Sequence, residues 1–209
     1  MRCIRRFHLG VDLGKKRDHT AVVIVEQRLS EDGRRDPVTF ALEWRREIIL
    51  QHVEQVKLGT AYGAVIERVW EISHRPELEE GMVTICVDGT GLGEVVVEGL
   101  QRRGLRGELM PVVMTGGRNV GWSNGAYCVP KQELVQGVAL LMEKGELAVA
   151  GDLPGWAVMR GEMLGLRGMA STGGTRYQSE GHDDLVMALG LACFGMRQRW
   201  MPTSGPWRG

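Results

Sequence analysis

The sequence lacks several features that would place it in a class at once. Its 26 basic and 26 acidic residues cancel, so no overall field attracts nucleic acid and any such site must rest on local basic patches. Its four cysteines form no CxxC pair, which argues against a structural zinc site and fits a reducing compartment. No apolar run is long enough to span a bilayer, and no signal peptide follows Met1. We therefore expect a soluble, cytoplasmic protein without a membrane partner.

The pattern of apolar residues along the 209-residue chain predicts one α/β domain. Three strand-like segments come first and could form an antiparallel meander, with a turn at 30–37 between the second and third. Helices and strands then alternate, interrupted by a long glycine-rich loop at 115–129. The predicted strands are 7–12, 20–27, 38–49, 82–87, 109–114, 147–150 and one near 175–178; the predicted helices are 58–73, 92–103, 131–144, 156–166 and 184–196. Residues 200–209 are expected to form a flexible tail after a domain at 1–199.

Acidic residues stand at three points where elements begin or end. Asp12 and Asp88 follow strand-like runs, and Asp183 and Asp184 open the last predicted helix. Carboxylates at two strand ends and one helix start can meet at one edge of a sheet. Carboxylate oxygens are the ligands that Mg²⁺ and Mn²⁺ prefer. Two such ions about 3.5–4 Å apart can activate water and stabilise the leaving oxygen in phosphodiester cleavage.

Each acidic motif also has a simpler interpretation. An aspartate close to a glycine after a strand is often a turn residue, as Asp12 could be. The segment after Asp88 could be a turn or a weak phosphate-binding loop. Asp183 or Asp184 could be only a helix N-cap. Each signal is weak alone, but their joint occurrence favours a metal site.

Other side chains near these motifs are candidates for supporting roles. His182 and Asp18 could contact the metal ligands, although a loop histidine and a turn aspartate are the simpler interpretations. Four residues could contact DNA or its phosphates: Lys15, Lys16, Lys131 and Trp122. The simpler interpretation of the lysines is that they are solvated.

Four segments give the chain a resemblance to a known family. They are Gly10-Val11-Asp12 with Asp18-His19-Thr20, Val87-Asp88-Gly89-Thr90-Gly91, Val129-Pro130-Lys131 leading to Gly145-Glu146-Leu147, and Gly181-His182-Asp183-Asp184 with the apolar run after it. In this order they resemble the C-terminal nuclease domain of the large terminase subunit of tailed bacteriophages, in the ribonuclease H-like superfamily. The last segment is the most specific.

The resemblance implies a ribonuclease H-like fold: a mixed sheet, antiparallel in its first three strands and then parallel, with helices on both faces. It also implies a metal-dependent endonuclease that cuts double-stranded DNA during phage genome packaging in the bacterial cytoplasm. Asp12, Asp88 and Asp184 would be the principal ligands of two Mg²⁺ or Mn²⁺ ions, with Asp183 beside them. The implied partners are an ATPase motor domain or subunit, the portal and the small terminase subunit.

Two departures from the family pattern stand out. The chain has no GxxxxGK[ST] phosphate loop, so we expect an excised domain, a split gene product or a stand-alone nuclease relative. Lys15-Lys16-Arg17 stand where the family more often has small residues, which raises the expectation of a phosphate contact there.

Three other functions remain open from the sequence. A Holliday-junction resolvase on the same fold would select branched DNA. An actin-like sugar kinase or ATPase also uses Asp-x-Gly strand ends, but the chain is short for two such domains and the paired aspartates have no place in it. A non-catalytic DNA-binding remnant conflicts with the acids, because clustered negative charge opposes phosphate binding unless a metal is present.

Overall fold

The structure, a computed structural model, describes residues 3–14, 18–40, 42–171, 174–179 and 181–199. Within them the chain forms ten strands and five helices. The strands are β1 (Cys3–Asp12), β2 (Ala21–Arg35), β3 (Leu42–Gln55), β4 (Met82–Asp88), β5 (Glu108–Thr115), β6 (Gly121–Ser123), β7 (Ala126–Pro130), β8 (Leu147–Val149), β9 (Leu166–Ser171) and β10 (Gly174–Ser179). The helices are α1 (Tyr62–Ser73), α2 (Gly93–Arg103), α3 (Lys131–Glu143), α4 (Trp156–Gly165) and α5 (Asp184–Arg199).

Eight of the strands form one mixed sheet in the order β6-β7-β5-β4-β1-β2-β3-β8. The first three strands pair antiparallel, as the apolar pattern predicted. Parallel pairing then joins β1 to β4, β4 to β5 and β5 to β7. This arrangement brings the carboxyl ends of β1, β4, β5 and β7 to the same edge of the sheet. The predicted fold class is confirmed.

Helices cover both faces of the sheet, and the side chains of β1 point alternately to one face and the other. Phe7, Leu9 and Val11 point to the face covered by α1 and α2 and form a core with them. On the other face lies α5, in which every residue from Asp184 to Met196 is buried. A helix that is apolar on nearly every side is expected to be buried, and α5 confirms that prediction.

Gly10 allows α5 to lie directly on β1. A Cβ atom at this position would overlap the carbonyl oxygen of Ala188 and come within 2.7 Å of the Ala192 nitrogen. Both of those atoms belong to the helix backbone, so the overlap could not be relieved by a side-chain rotation. The spacing between β1 and α5 is therefore set by the absence of a side chain at one residue.

Two predictions about the connections were wrong. The predicted turn at 30–37 is instead the end of β2, and the chain reverses after it. There the Asp36 carboxylate accepts hydrogen bonds from the Val38 and Thr39 backbone amides at 2.9 and 2.6 Å, which stabilises a turn. The predicted loop at 115–129 contains β6 and most of β7, which pair as a hairpin around Asn124 and Gly125. Both of these residues have positive φ angles, as short hairpin turns require.

The remaining predictions concern the edge and the end of the chain. The short strand β8 lies at the edge of the sheet, as expected. The strand predicted near 175–178 is β10, which pairs with β9 in a separate two-stranded sheet. The predicted tail, 200–209, lies outside the described residues. Among the helices of the described segments, none is both long and apolar enough to cross a membrane.

Candidate metal centre

The first two acidic residues lie side by side at the carboxyl ends of parallel strands. Val11 of β1 pairs with Val87 of β4, so Asp12 and Asp88 are the next residues on neighbouring strands. Asp12 is 9% exposed and Asp88 is half-buried. The Asp88 carboxylate accepts hydrogen bonds from the backbone amide of Thr90, at 2.9 Å, and from its hydroxyl group.

The other two acidic residues lie where α5 begins. The Asp183 carbonyl accepts the first helical hydrogen bond, from the Met187 amide at 2.8 Å, which makes Asp183 the N-cap residue. The Asp183 carboxylate does not cap the helix; it forms an ion pair with Lys131 at 2.8 Å. Asp184 is 6% exposed and accepts a hydrogen bond from the His19 amide at 3.1 Å.

All four aspartates line one cavity of about 330 Å³. Burial raises the pKa of Asp12 well above its usual range, and the negative charges of Asp88, Asp184 and Asp183 raise it further. Burial also raises the pKa of Asp184, although the hydrogen bond from the His19 amide acts to lower it. Carboxylates held this close favour protonation unless a positive charge joins them.

The donor set fits a divalent cation, although the side chains are not arranged as a closed cage. No hydrogen bond or ion pair from a described residue reaches the Asp12 carboxylate, which is nonetheless buried and surrounded by three acids. A bound cation would supply the missing countercharge, and carboxylate oxygen is the donor that Mg²⁺ and Mn²⁺ prefer. Within the described parts of the chain, no group of three or more His, Cys, Asp or Glu side chains stands ready to hold an ion as placed.

The structure brings some of the other predicted residues to this cavity. Asp18, Lys131 and His182 line it together with the four aspartates. Trp122 does not: it lies on β6 at the sheet edge, 62% exposed, with its ring edge-to-face against Tyr127 at 4.6 Å. Lys15 and Lys16 lie outside the described residues.

Three residues at the site were missed as contributors by sequence reasoning. Thr90 holds Asp88 and receives a hydrogen bond from the Met114 amide at 3.0 Å. His19 holds Asp184 through its backbone. For Thr90 the available signal was its position two residues after Asp88, whereas nothing in the sequence connects His19 with Asp184. Glu162, on α4, belongs to no motif.

Glu162 contacts the start of α5. One oxygen, Oε2, accepts hydrogen bonds from the backbone amides of Leu185 at 2.9 Å and Val186 at 3.3 Å, and Oε1 accepts one from Gln55 at 3.1 Å. Burial raises the pKa of Glu162 to about 7, against the two backbone hydrogen bonds. The charges of Asp184 and Asp183 raise it further.

A second cavity, of about 460 Å³, lies at the opposite end of β1 and β4. Its lining is basic and includes Arg6, Arg106 and Arg199, with Glu108. His8, also in the lining, is 1% exposed, and neither ring nitrogen has a hydrogen-bond partner among the described residues. Burial, and then the charge of Arg6, lower the pKa of His8 to about 4. Arg6 and Asp12 are six positions apart along the extended strand, a distance of about 20 Å.

Comparison with known proteins supports the resemblance drawn from the sequence segments. No family model matches the chain. It is 24% identical over 187 residues to the terminase large subunit of Thermus virus P23-45, and 30% identical over 115 residues to that of Thermus phage G20c. These matches cover 88% and 54% of this chain but only 30% and 20% of the relatives.

A solved structure shares the fold. The large terminase nuclease domain of Thermus phage P74-26 matches with a TM-score of 0.52 and 22% identity, over 90% of this chain and 78% of that one. The chain is thus similar in sequence to phage terminase large subunits and has the ribonuclease H-like fold of a terminase nuclease domain.

Proposed function

We propose that this chain is a metal-dependent endonuclease that hydrolyses phosphodiester bonds of double-stranded DNA. The observation that carries the proposal is the convergence of Asp12, Asp88, Asp183 and Asp184 on one cavity. Burial, and then the negative charges of the other three aspartates, raise the pKa of Asp12. Four carboxylates kept this close repel one another, which favours a site that binds a cation over a purely structural one.

Asp12, Asp88 and Asp184 are the proposed principal ligands of two Mg²⁺ or Mn²⁺ ions. Such a pair of ions, when bound, activates a water molecule and stabilises the leaving oxygen. Two of the ligands are oriented by the protein itself, Asp88 through Thr90 and Asp184 through the His19 amide. Asp183 belongs to the same cavity and holds Lys131, so it both adds negative charge and positions a cation at the rim.

Lys131 is the proposed phosphate contact. Its side chain is half-exposed at the first residue of α3, and its ammonium group faces the cavity. A DNA phosphate entering the cavity would meet this group beside the acids. Trp122 remains a candidate for stacking on a base, since its ring is exposed on the edge strand. Lys15 and Lys16 remain candidates on the basis of sequence alone.

By similarity to terminase large subunits, we propose that this activity cuts DNA during phage genome packaging. The proposed partners are an ATPase motor, the portal and the small terminase subunit, and the proposed location is the cytoplasm of the bacterial host. The chain's sequence similarity to two terminase large subunits supports this assignment.

Cleavage of supercoiled plasmid in Mn²⁺ tests the nuclease proposal. We expect Asp88→Asn to lower the cleavage rate by about 10³-fold or more while the circular dichroism spectrum stays unchanged, because a ligand is lost without a change in shape. The matched control is Asp152→Asn, in an exposed turn with a positive φ angle that asparagine tolerates. Cleavage by Asp88→Asn at the control rate would refute the assignment, and strong preference for four-way junctions over linear duplex would favour a resolvase.

A further inference from the structure

The start of α5 is capped by a residue of another helix. An N-cap aspartate normally accepts hydrogen bonds from the amides two or three residues further along the helix, which otherwise lack partners. Asp183 occupies that position, but its carboxylate is turned to Lys131. The amides that it would serve, those of Leu185 and Val186, donate instead to Glu162 of α4.

We infer that Glu162 is a positioning residue: it caps α5 in place of Asp183 and so leaves the Asp183 carboxylate directed into the cavity. This inference rests on the proposed function for its consequence in metal binding, but the capping itself does not depend on it.

One further contact and the helix dipole make Glu162 suited to this role. Its second oxygen accepts a hydrogen bond from Gln55 of β3, so the carboxylate is fixed from both sides. A negative group at a helix N-terminus is also favoured by the helix dipole. Glu162 thereby joins α4, β3 and α5 at a point one residue beyond Asp184, and any movement of this end of α5 would displace both aspartates.

Without Glu162, we expect the Asp183 carboxylate to cap α5. With the Leu185 and Val186 amides unpartnered, the nearest carboxylate able to accept from them is that of Asp183, through the ordinary N-cap geometry. Asp183 would then leave Lys131 and turn from the cavity to its own helix. Fold stability would change little, whereas the cavity would lose one acidic group.

The first test is a double-mutant cycle, measured by urea unfolding in EDTA. We expect Glu162→Ala to lower the folding equilibrium constant about fivefold in an Asp183→Ala background, where no substitute cap exists, and clearly less in the wild type. The control is Glu133→Ala, which removes a carboxylate that pairs with Arg197 near the other end of α5 at 3.3 Å. We expect its effect to be the same in both backgrounds. Equal effects of Glu162→Ala in the two backgrounds would overturn the inference.

The second test is the Mn²⁺ concentration at half-saturation, measured by calorimetry and by plasmid cleavage. Glu162→Ala should raise it by about tenfold, as expected for a residue that orients ligands, and leave the KM for DNA unchanged. Glu162→Gln keeps an oxygen that can accept from both amides and should restore a value within about twofold of the wild type. Glu133→Ala should not change it.

These outcomes separate the two proposals. If Glu162→Ala binds Mn²⁺ like the wild type, Glu162 does not position the site although the nuclease assignment stands. If the wild type neither binds Mn²⁺ nor cuts DNA, the proposed function fails, and the double-mutant cycle still decides whether Glu162 replaces Asp183 as the cap.

Discussion

The two ends of β1 and β4 carry opposite chemistry on the same pair of strands. At the amino end, Arg106 pairs with Glu79 and Arg199 pairs with Glu108, so most of the positive charge is compensated. At the carboxyl end, the buried carboxylate of Asp12 faces three other acids and has no direct partner among the described residues. At the amino end both arginines are paired with carboxylates, whereas at the carboxyl end four acids share the cavity with Lys131, and an added cation would balance the remaining negative charge.

The buried ionisable groups at the two ends also respond differently to the cost of desolvation. His8 meets the cost of burial by losing its charge, since its pKa is lowered to about 4. The aspartates could not all respond in this way and still act as the proposed metal ligands. A group that is buried and neutral supports a fold, while several groups that are buried and able to be charged indicate a binding site.

The largest expected effect is at the carboxyl end. Asp12→Asn should lower plasmid cleavage in Mn²⁺ by about 10³-fold or more, because it removes a proposed ligand. The same change should raise the free energy of unfolding in EDTA, because burial and the neighbouring acids disfavour a carboxylate at this position and an amide carries no charge. Cleavage assays and urea unfolding measure the two effects. Loss of stability together with activity would mean that Asp12 supports the fold instead.

The next effect is at the amino end and depends on pH. In the unfolded chain a histidine binds its proton near pH 6.5, whereas folded His8 does so near pH 4. The contribution of His8 to the free energy of unfolding should therefore be fully present above pH 6.5. It should fall by about 3 kcal/mol as the pH drops to 4. Urea unfolding of the wild type and of His8→Leu across this range isolates the contribution, because the carboxylates titrate in both. Parallel stability curves would show that His8 does not resist protonation.

A somewhat smaller effect compares the two ends directly. Mn²⁺ at about 100 times its dissociation constant should stabilise the wild type by about 2.7 kcal/mol, since only the folded state holds the acids together. His8→Leu should keep this stabilisation and Asp12→Asn should lose most of it. Thermal unfolding at several Mn²⁺ concentrations provides the measurement. Equal Mn²⁺ responses in the two variants would remove the distinction between the ends.

Much of the sheet could be predicted because the sequence signals were local. The apolar runs of β1 and β4 ended in aspartates, and parallel pairing of the two strands then placed Asp12 beside Asp88. The turn after β2 was misplaced because Asp32-Gly33 gives as strong a local turn signal as the Asp36 segment. The side-chain bonds of Asp36 determine where the reversal occurs.

The support around the acids could not be predicted because it depends on tertiary contacts. Asp183 was recognised as a possible N-cap, and it does occupy that position. Its diversion to Lys131 and the capping of α5 by Glu162 require α3 and α4 to be packed against α5. No sequence spacing signals an acceptor that reaches a helix from 23 residues away.

The missing side chain at Gly10 has a consequence for genetics. A residue without a side chain controls how near α5 lies to β1, and therefore how near Asp184 lies to Asp12. Random mutagenesis followed by selection for chains that no longer damage DNA should recover changes at Gly10 beside changes at the aspartates. A search for chemically reactive side chains would overlook Gly10, although this residue fixes the distance between Asp12 on β1 and Asp184 on α5.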